Sequence, residues 1–198
     1  MEKSDRDIII SIVSKAFQEN PRIQTMMKKR DPARSVRLMT EYAYDLVEKF
    51  NGIYLSEDKT TVLLYYKNSE YSMGLIDYIK YGRMFKKAIR PSQLFPTLKR
   101  EKYIKSLRPD YDDYIYVWIL GSVQDKTSIR GLADIRNHLF SLSDKLNLPI
   151  LIETTIEKLL KLYKYVGFEI YNTWHDKEAD INVWFLQREV KNKQSIPQ

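Results

Sequence analysis

The sequence predicts an α/β (α+β) fold in which a mixed, mostly antiparallel twisted sheet carries helices on both faces. A strand over 114–123, a helix over about 129–146 and a strand over 149–154 predict a β-α-β crossover between parallel neighbours. The stretches 167–173 and 181–188 flank the polar segment HDKEAD and predict an antiparallel hairpin. Parallel and antiparallel pairs therefore share one sheet.

The first 50 residues are helical in pattern. Apolar residues from Ile8 to Phe17 repeat at the spacing of one helix face, and Asn20-Pro21 interrupts that pattern. A further amphipathic stretch runs from Pro32 to Phe50 and stops at Asn51-Gly52. We therefore expect helices before the first strand.

A β-hairpin is predicted next. The stretches GIYLSE and TTVLLYYK read as strands, and Glu57-Asp58-Lys59 between them supplies the turn. Residues 71–108 are again helical in pattern, with interruptions at Gly74, Pro91 and Pro96. A helix over 156–165 precedes the final pair of strands.

Length and composition favour one domain and exclude several kinds of site. The chain has 198 residues, 43% of them hydrophobic, which suits one core over 1–189 with a polar tail over 190–198. The absence of cysteine excludes disulfides, a thiolate nucleophile and cysteine-based zinc sites. His138 and His175 are too few for a multi-histidine centre, so no metal site is predicted.

The charge and the apolar pattern bear on location and partners. No run of 18 or more apolar residues occurs and the first residues lack a basic-then-apolar leader, so we expect a cytoplasmic protein without a membrane partner. The formal charge of +7 indicates either attraction to a polyanion or a surface of solvated lysines. Nucleic acid is not favoured, because the basic residues are interspersed with acids.

The most informative segment leads from the strand over 114–123 into a helix. The loop Ser128-Ile129-Arg130-Gly131-Leu132-Ala133 places small residues at its first, fourth and sixth positions. Thr127 or Ser128 can cap the helix, whose first N–H groups and dipole suit a phosphate. An ordinary capped strand–helix loop is the alternative interpretation.

Together with two downstream segments, this loop resembles the GNAT superfamily of acyl-CoA N-acyltransferases. The family's cofactor loop is Gln/Arg-x-x-Gly-x-Gly/Ala, and the chain has Ser128-x-x-Gly131-x-Ala133. Leu151-Ile152-Glu153-Thr154-Thr155 looks like the family's fifth strand, and Leu162-Tyr163-Lys164-Tyr165-Val166-Gly167-Phe168 resembles its usual helix-to-strand ending. The resemblance covers residues 114–188.

The chain departs from the family pattern at three points. Ser128 replaces the usual Gln or Arg, and Leu159 stands where an Asn usually contacts the pantetheine arm. The loop between Val123 and Ser128 is also a residue longer than usual. A CoA-binding or sensor protein that has lost catalytic activity is therefore the alternative to an enzyme.

The resemblance implies a GNAT fold and acetyl transfer from acetyl-CoA to a primary amine. Two central strands would diverge and hold acetyl-CoA, with its diphosphate on the N–H groups of residues 129–133 and its pantetheine beside Ser122 and Val123. The amine would attack the thioester directly, Tyr163 would protonate the departing thiolate and Glu153 would be the general base. The implied cofactor-binding residues are Ser122, Val123, Ser128, Ile129, Arg130, Gly131, Leu132 and Ala133.

Other interpretations of these residues remain open. Tyr163 is one of 15 tyrosines and could simply pack. The base could be water or one of the carboxylates in the segment 110–113, and packed or exposed roles are favoured for His138 and His175. Tyrosine-rich N-terminal segments favour a small, partly apolar amine as acceptor, and a homodimer is compatible with the resemblance.

Overall fold

A computed structural model of the chain describes residues 3–18, 20–123 and 128–190. Thr127 and residues 191–198 of the predicted tail lie outside the described residues. The helices are α1 (Lys3–Gln18), α2 (Pro21–Met26), α3 (Pro32–Glu48), α4 (Leu75–Ala88), α5 (Leu94–Ser106), α6 (Ser128–Leu146) and α7 (Glu157–Tyr165), with a 3-10 turn at Pro91–Gln93. The strands are β1 (Ile53–Leu55), β2 (Thr61–Lys67), β3 (Ile115–Ser122), β4 (Ile150–Thr154), β5 (Glu169–Asp176) and β6 (Ile181–Arg188).

The described strands form one mixed sheet in the order β1-β2-β3-β4-β6-β5. β3 and β4 are parallel, and the other neighbouring strands are antiparallel. The predicted fold class, the crossover through α6 and both hairpins are therefore confirmed. β5 extends to Asp176, three residues beyond the predicted end, because its pairing with β6 continues to Ile181.

Each face of the sheet carries its own apolar cluster. On one face, Ile9 and Val13 of α1 and Val47 of α3 pack against the sheet. On the other face, Ile135 and Leu139 of α6 pack against it together with α7. Helices thus cover both faces, as the sequence predicts.

The sequence explains where α3 begins and ends. Asp31 accepts a hydrogen bond from the Arg34 N–H (3.0 Å), and Pro32 occupies the first helical position, where a missing N–H costs little. Asn51 follows the helix with φ of 52°, a left-handed conformation that Asn tolerates better than most residues. The predicted stop at Asn51-Gly52 is confirmed.

Two consecutive helices, α4 and α5, lie between β2 and β3, and we call residues 75–106 the α4–α5 hairpin. α4 packs Met84, Phe85 and Ala88 into a cluster that includes Val36 of α3. α5 packs Ile104 into a separate cluster with β6 residues. Among the described residues, no helix is long and apolar enough to cross a membrane.

Candidate active site

The central parallel strands separate after a short stretch of pairing. β3 and β4 pair only over Ile115–Val117 and Ile150–Ile152. Beyond that stretch β3 stays paired with β2 as far as Ser122, and β4 stays paired with β6 as far as Thr154. The carboxyl-terminal halves of the two strands therefore diverge and leave a gap in the middle of the sheet, which we call the central gap.

A β-bulge lies where the central gap begins. Leu64 of β2 pairs with Ile119, but the next residue, Tyr65, pairs with Val117, so Trp118 is an additional residue on β3. A bulge bends its strand and increases the local twist. This local change turns β3 away from β4 directly after the last paired position, Val117.

At the end of β3, the main-chain N–H and C=O groups of successive residues point alternately toward β2 and toward the central gap. The Val123 N–H donates to the Thr60 carbonyl (2.9 Å), so this amide is engaged on the β2 side. Because backbone groups of successive residues point to opposite sides of a strand, the N–H and C=O groups of Leu120 and Ser122 face the central gap. Ser122 is thus the better placed of the two residues that the resemblance assigns to pantetheine.

The amino-terminal end of α6 lies at the same end of the sheet as the central gap. β3 ends at Ser122 and α6 begins at Ser128, so only a short loop connects them. The first N–H groups of a helix have no acceptor within that helix, and the dipole adds partial positive charge there. Ile129 and Arg130 are exposed on this turn, whereas Leu132 and Ala133 are half-buried.

Gly131 is buried against the β1–β2 hairpin. A Cβ atom at this position would lie 2.3 Å from Thr60 Oγ1, 2.5 Å from Thr61 Oγ1 and 3.0 Å from Asp58 Oδ1. The glycine therefore allows α6 to sit directly on the hairpin turn. The sequence suggests that this small residue admits a ligand, whereas in the structure protein atoms fill the space where its side chain would be.

Two further α6 side chains fasten the helix to the same hairpin. Asp134 accepts hydrogen bonds from the Tyr54 hydroxyl (3.0 Å) and the Glu57 N–H (2.9 Å). The His138 ring stacks on Tyr54, with centroids 3.7 Å apart, and burial lowers the pKa of His138. His138 is thus a packed residue, as favoured from the sequence, while no sequence signal singles out Asp134.

The segment ending in Gly167-Phe168 forms a Schellman motif at the end of α7. The Phe168 N–H donates to the Tyr163 carbonyl (3.0 Å), and the Gly167 N–H donates to the Lys164 carbonyl (3.1 Å). Gly167 has φ of 100°, which a residue with a Cβ rarely adopts. The rings of Tyr163 and Phe168, with centroids 5.8 Å apart, provide the apolar contact that commonly accompanies this motif.

Tyr163 lies in the core between α6, α7 and the sheet. Its neighbours in this cluster include Val117 and Ile152, the last paired residues before the central gap. Burial raises the pKa of Tyr163 above its ordinary value of about 10, so the phenol stays protonated at neutral pH. Its position and protonation suit a proton donor, and they equally suit a packed tyrosine.

Glu153 lies on the opposite face of the sheet from Tyr163. It lies two residues after Leu151 on β4, so the two side chains point to the same face, and Leu151 belongs to the cluster beneath α1 and α3. Its negative charge contributes to the raised pKa values of Tyr116 and Tyr66, although burial is the larger cause for both. Glu153 therefore stands beside a group of tyrosines at the edge of the central gap.

We call this group, Tyr66, Tyr71, Tyr114 and Tyr116, the tyrosine cluster. Tyr66 stacks on Tyr71 with centroids 4.3 Å apart and lies 5.2 Å from Tyr116. Trp118, at the bulge, lies edge-on to Tyr66 at 6.4 Å. Aromatic rings thus line the sheet from its paired region to the start of the central gap.

Arg108 adds a positive charge to the tyrosine cluster. Its guanidinium lies 3.8 Å from the centre of the Tyr116 ring and donates to the hydroxyl groups of Tyr114 (3.1 Å) and Tyr66 (3.5 Å). Burial opposes the charge of Arg108, but the surrounding tyrosines, chiefly Tyr116 and Tyr66, together keep its pKa above the ordinary value. The sequence gives no signal for Arg108, because Leu107-Arg108-Pro109 reads as an ordinary loop.

The other sequence candidates lie away from the central gap. Asp113, just before β3, accepts from the Ser69 N–H and hydroxyl (2.8 Å each) and holds a turn at the opposite end of that strand. His175 is exposed at the end of β5, with Nδ1 3.0 Å from Asn182 Oδ1. Of the sequence candidates, Glu153 is the carboxylate that lies beside the central gap.

Two solved structures share this fold over nearly their full length. One is described as histone acetyltransferase HPA2 and related acetyltransferase from Corynebacterium glutamicum; it has a TM-score of 0.64 over 100% of this chain and 96% of its own, at 13% identity. The other is the C-terminal condensation domain of Ebony in complex with beta-alanyl-dopamine, with a TM-score of 0.64 over 96% of each chain, at 8% identity. No family model and no curated protein matches the sequence. At these identities the similarity shows the fold alone.

Proposed function

We propose that this chain, which has the GNAT acyltransferase fold, transfers an acetyl group from acetyl-CoA to the primary amine of a small molecule. The observation that carries the proposal is the central gap, which opens after Val117 and Ile152 and runs toward the start of α6. An extended pantetheine arm with its thioester fits between two strands that diverge, where it can add to the edge of β3 like a further strand.

The two sides of the gap suit the two substrates. On the α6 side, the first N–H groups of the helix suit a diphosphate, and Arg130 adds positive charge there. On the opposite side, Glu153 and the tyrosine cluster offer a carboxylate and aromatic walls to an amine. The acetyl group would lie between them, within the sheet.

The residues have distinct roles in this reaction. The amine, deprotonated by Glu153 directly or through water, attacks the thioester carbonyl. The tetrahedral intermediate collapses, the C–S bond breaks, and Tyr163 gives its proton to the departing thiolate of CoA. Acetyl-CoA supplies the activated acyl group, so no covalent intermediate on the protein is needed.

Binding of acetyl-CoA by the first turn of α6 can be tested without disturbing the hairpin contact at Gly131. Ile129 is exposed there, so Ile129→Glu adds a negative charge that repels a diphosphate while favouring the helix terminus. Calorimetry should show strong loss of acetyl-CoA affinity in Ile129→Glu and little loss in Ile129→Gln. Equal affinities in both variants would reject this diphosphate site.

Activity requires a second measurement. Release of free CoA from acetyl-CoA should rise when small primary amines, including aromatic ones, are added to the wild-type protein. Binding of acetyl-CoA without CoA release for any amine would instead support a CoA-binding protein that lacks catalysis.

A further inference from the structure

The α4–α5 hairpin, residues 75–106, carries the net charge of the whole protein. It contains nine Lys or Arg residues and two acidic residues, a formal charge of +7, which equals the charge of the entire chain. The remaining residues are therefore neutral in sum. In the linear sequence the basic residues look dispersed, and the sequence predicts neither a nucleic-acid nor a membrane partner.

The same hairpin exposes large apolar side chains. In the first turns of α4, Leu75 is 78% exposed and Ile76 is 69% exposed, and Ile79 is also exposed. On α5, Phe95 is 79% exposed and, with Leu98, lines a surface hollow of about 570 Å³. Lys99 and Lys102 line the same hollow, and α4 carries its exposed lysines further along the helix.

The hairpin is anchored firmly enough to present this surface. α4 buries Met84 and Phe85 against α3, and α5 forms an ion pair between Arg100 and Asp176 of β5. The Tyr81 hydroxyl donates to the Glu101 carboxylate (3.2 Å), which joins the two helices. The exposed residues are thus not involved in holding the fold.

We propose that the outer surface of the α4–α5 hairpin docks on an anionic lipid bilayer. Helices that combine protruding aliphatic or Phe side chains with Lys and Arg lie in the bilayer interface, where apolar groups enter the acyl boundary and basic groups meet anionic headgroups. This contact needs no spanning helix. It is independent of the proposed acetyl transfer.

Other occupants fit these residues less well. Six of the nine basic residues are lysines, which are depleted at protein–protein interfaces, where Arg and aromatic residues are enriched. Single-stranded nucleic acid is bound by aromatic stacking, whereas most of the protruding residues here are aliphatic. A second copy would bring two surfaces of the same strong charge together.

Vesicle co-sedimentation tests the proposal. The wild-type protein should bind vesicles of phosphatidylcholine with about 30% phosphatidylglycerol, should bind pure phosphatidylcholine much less, and should lose binding as salt is raised. The charge variant Lys86→Glu/Lys87→Glu/Lys99→Glu should bind on the order of 100-fold more weakly. The apolar variant Leu75→Ser/Ile76→Ser/Phe95→Ser should also lose at least about tenfold.

A matched control has the same change in total charge. Lys15→Glu/Lys145→Glu/Lys158→Glu alters exposed lysines on α1, α6 and α7 and should retain most of the binding. Thermal unfolding of each variant verifies the fold. The proposal is overturned by a wild type that ignores anionic vesicles, by a control as weak as the charge variant, or by an apolar variant that binds like wild type. If the wild type self-associates without lipid and the apolar variant does not, the surface binds a second copy of the chain instead.

Discussion

The main-chain N–H of Phe168 is hydrogen-bonded to the carbonyl of Tyr163, and the two rings pack on each other. One short motif therefore ends α7, starts the turn into β5 and fixes the position of the candidate proton donor. In the printed sequence the Leu-Tyr-x-x-x-Gly-Phe pattern looks like a catalytic signature. Its physical basis in this structure is the C-terminal cap of a helix.

The role of the Tyr163 hydroxyl can be tested separately from the packing of its ring. Tyr163→Phe keeps the contact with Phe168, so we expect unchanged acetyl-CoA affinity and a fall in acetyl-transfer rate on the order of 100-fold, typical of a lost general acid. Steady-state kinetics and calorimetry measure the two quantities. Tyr165→Phe, on the same helix but exposed, is the matched control. Equal rates in the wild type and Tyr163→Phe would remove the proposed role.

The carboxylate of Glu153 has a similar test. Glu153→Gln preserves size and removes the base, so we expect kcat to fall by on the order of 10- to 100-fold while acetyl-CoA affinity stays the same. Asp112→Asn, an exposed change in the acidic segment before β3, should leave the rate unaltered. If the two variants behave alike, proton removal belongs to water or to another group.

Replacing two glycines with alanine should change the free energy of unfolding in opposite directions. At Gly167, with φ of 100°, alanine is strained and should lower the free energy of unfolding by about 1 kcal/mol or more. At Gly82, inside α4, an added Cβ atom would meet no described atom within 4 Å, so alanine should raise it by about 0.5–1 kcal/mol. Urea unfolding measures both changes, and a stabilising Gly167→Ala would contradict the left-handed cap.

Gly131→Ala should destabilise the protein through the hairpin contact. Its Cβ would lie within 2.5 Å of the hydroxyl oxygens of Thr60 and Thr61, and such overpacking typically costs about 1–3 kcal/mol. In a Thr60→Ala/Thr61→Ala background the same change should cost clearly less. A double-mutant cycle by urea unfolding measures this coupling. Additive effects would show that the added methyl group does not clash with the threonine side chains of the β1–β2 hairpin.

The pH dependence of stability should report the burial of His138. Burial lowers its pKa in the folded protein, so the unfolded chain takes up a proton first as pH falls through about 6.5. Burial of the neutral His138 ring therefore costs no stability above that pH. The free energy of unfolding decreases as the pH falls from there toward the pKa of His138 in the folded protein. Urea unfolding between about pH 7.5 and 5.5 should show a shallower pH dependence in His138→Gln than in the wild type or in His175→Gln.

Local patterns in the sequence predict the elements well because capping and periodicity are local. The start at Pro32, the stop at Asn51-Gly52 and the largely apolar β2 segment each indicate a boundary or a strand that the structure confirms. Arg108 and Asp134 could not be found in this way. Asp134 binds partners 80 and 77 positions away. Arg108 contacts Tyr66, 42 positions away, as well as tyrosines only a few positions along the chain, and the sheet brings these rings together around it.

Gly131 shows a different limit of sequence interpretation. A small residue at a strand–helix turn indicates a close approach, but the pattern does not say what approaches. In the structure the neighbour is the protein's own hairpin. The same residue type is needed for both reasons, so the sequence alone cannot distinguish them.

The brevity of the pairing between β3 and β4 has a mechanical consequence. The sheet consists of two antiparallel halves, β1-β2-β3 and β4-β6-β5, joined directly over Ile115–Val117 and Ile150–Ile152. A change in the angle between the halves would disturb few hydrogen bonds, since each half keeps its own ladder intact. Apolar clusters on both faces also span this seam. An extended molecule bound along the open side would add a further line of contact between the two halves.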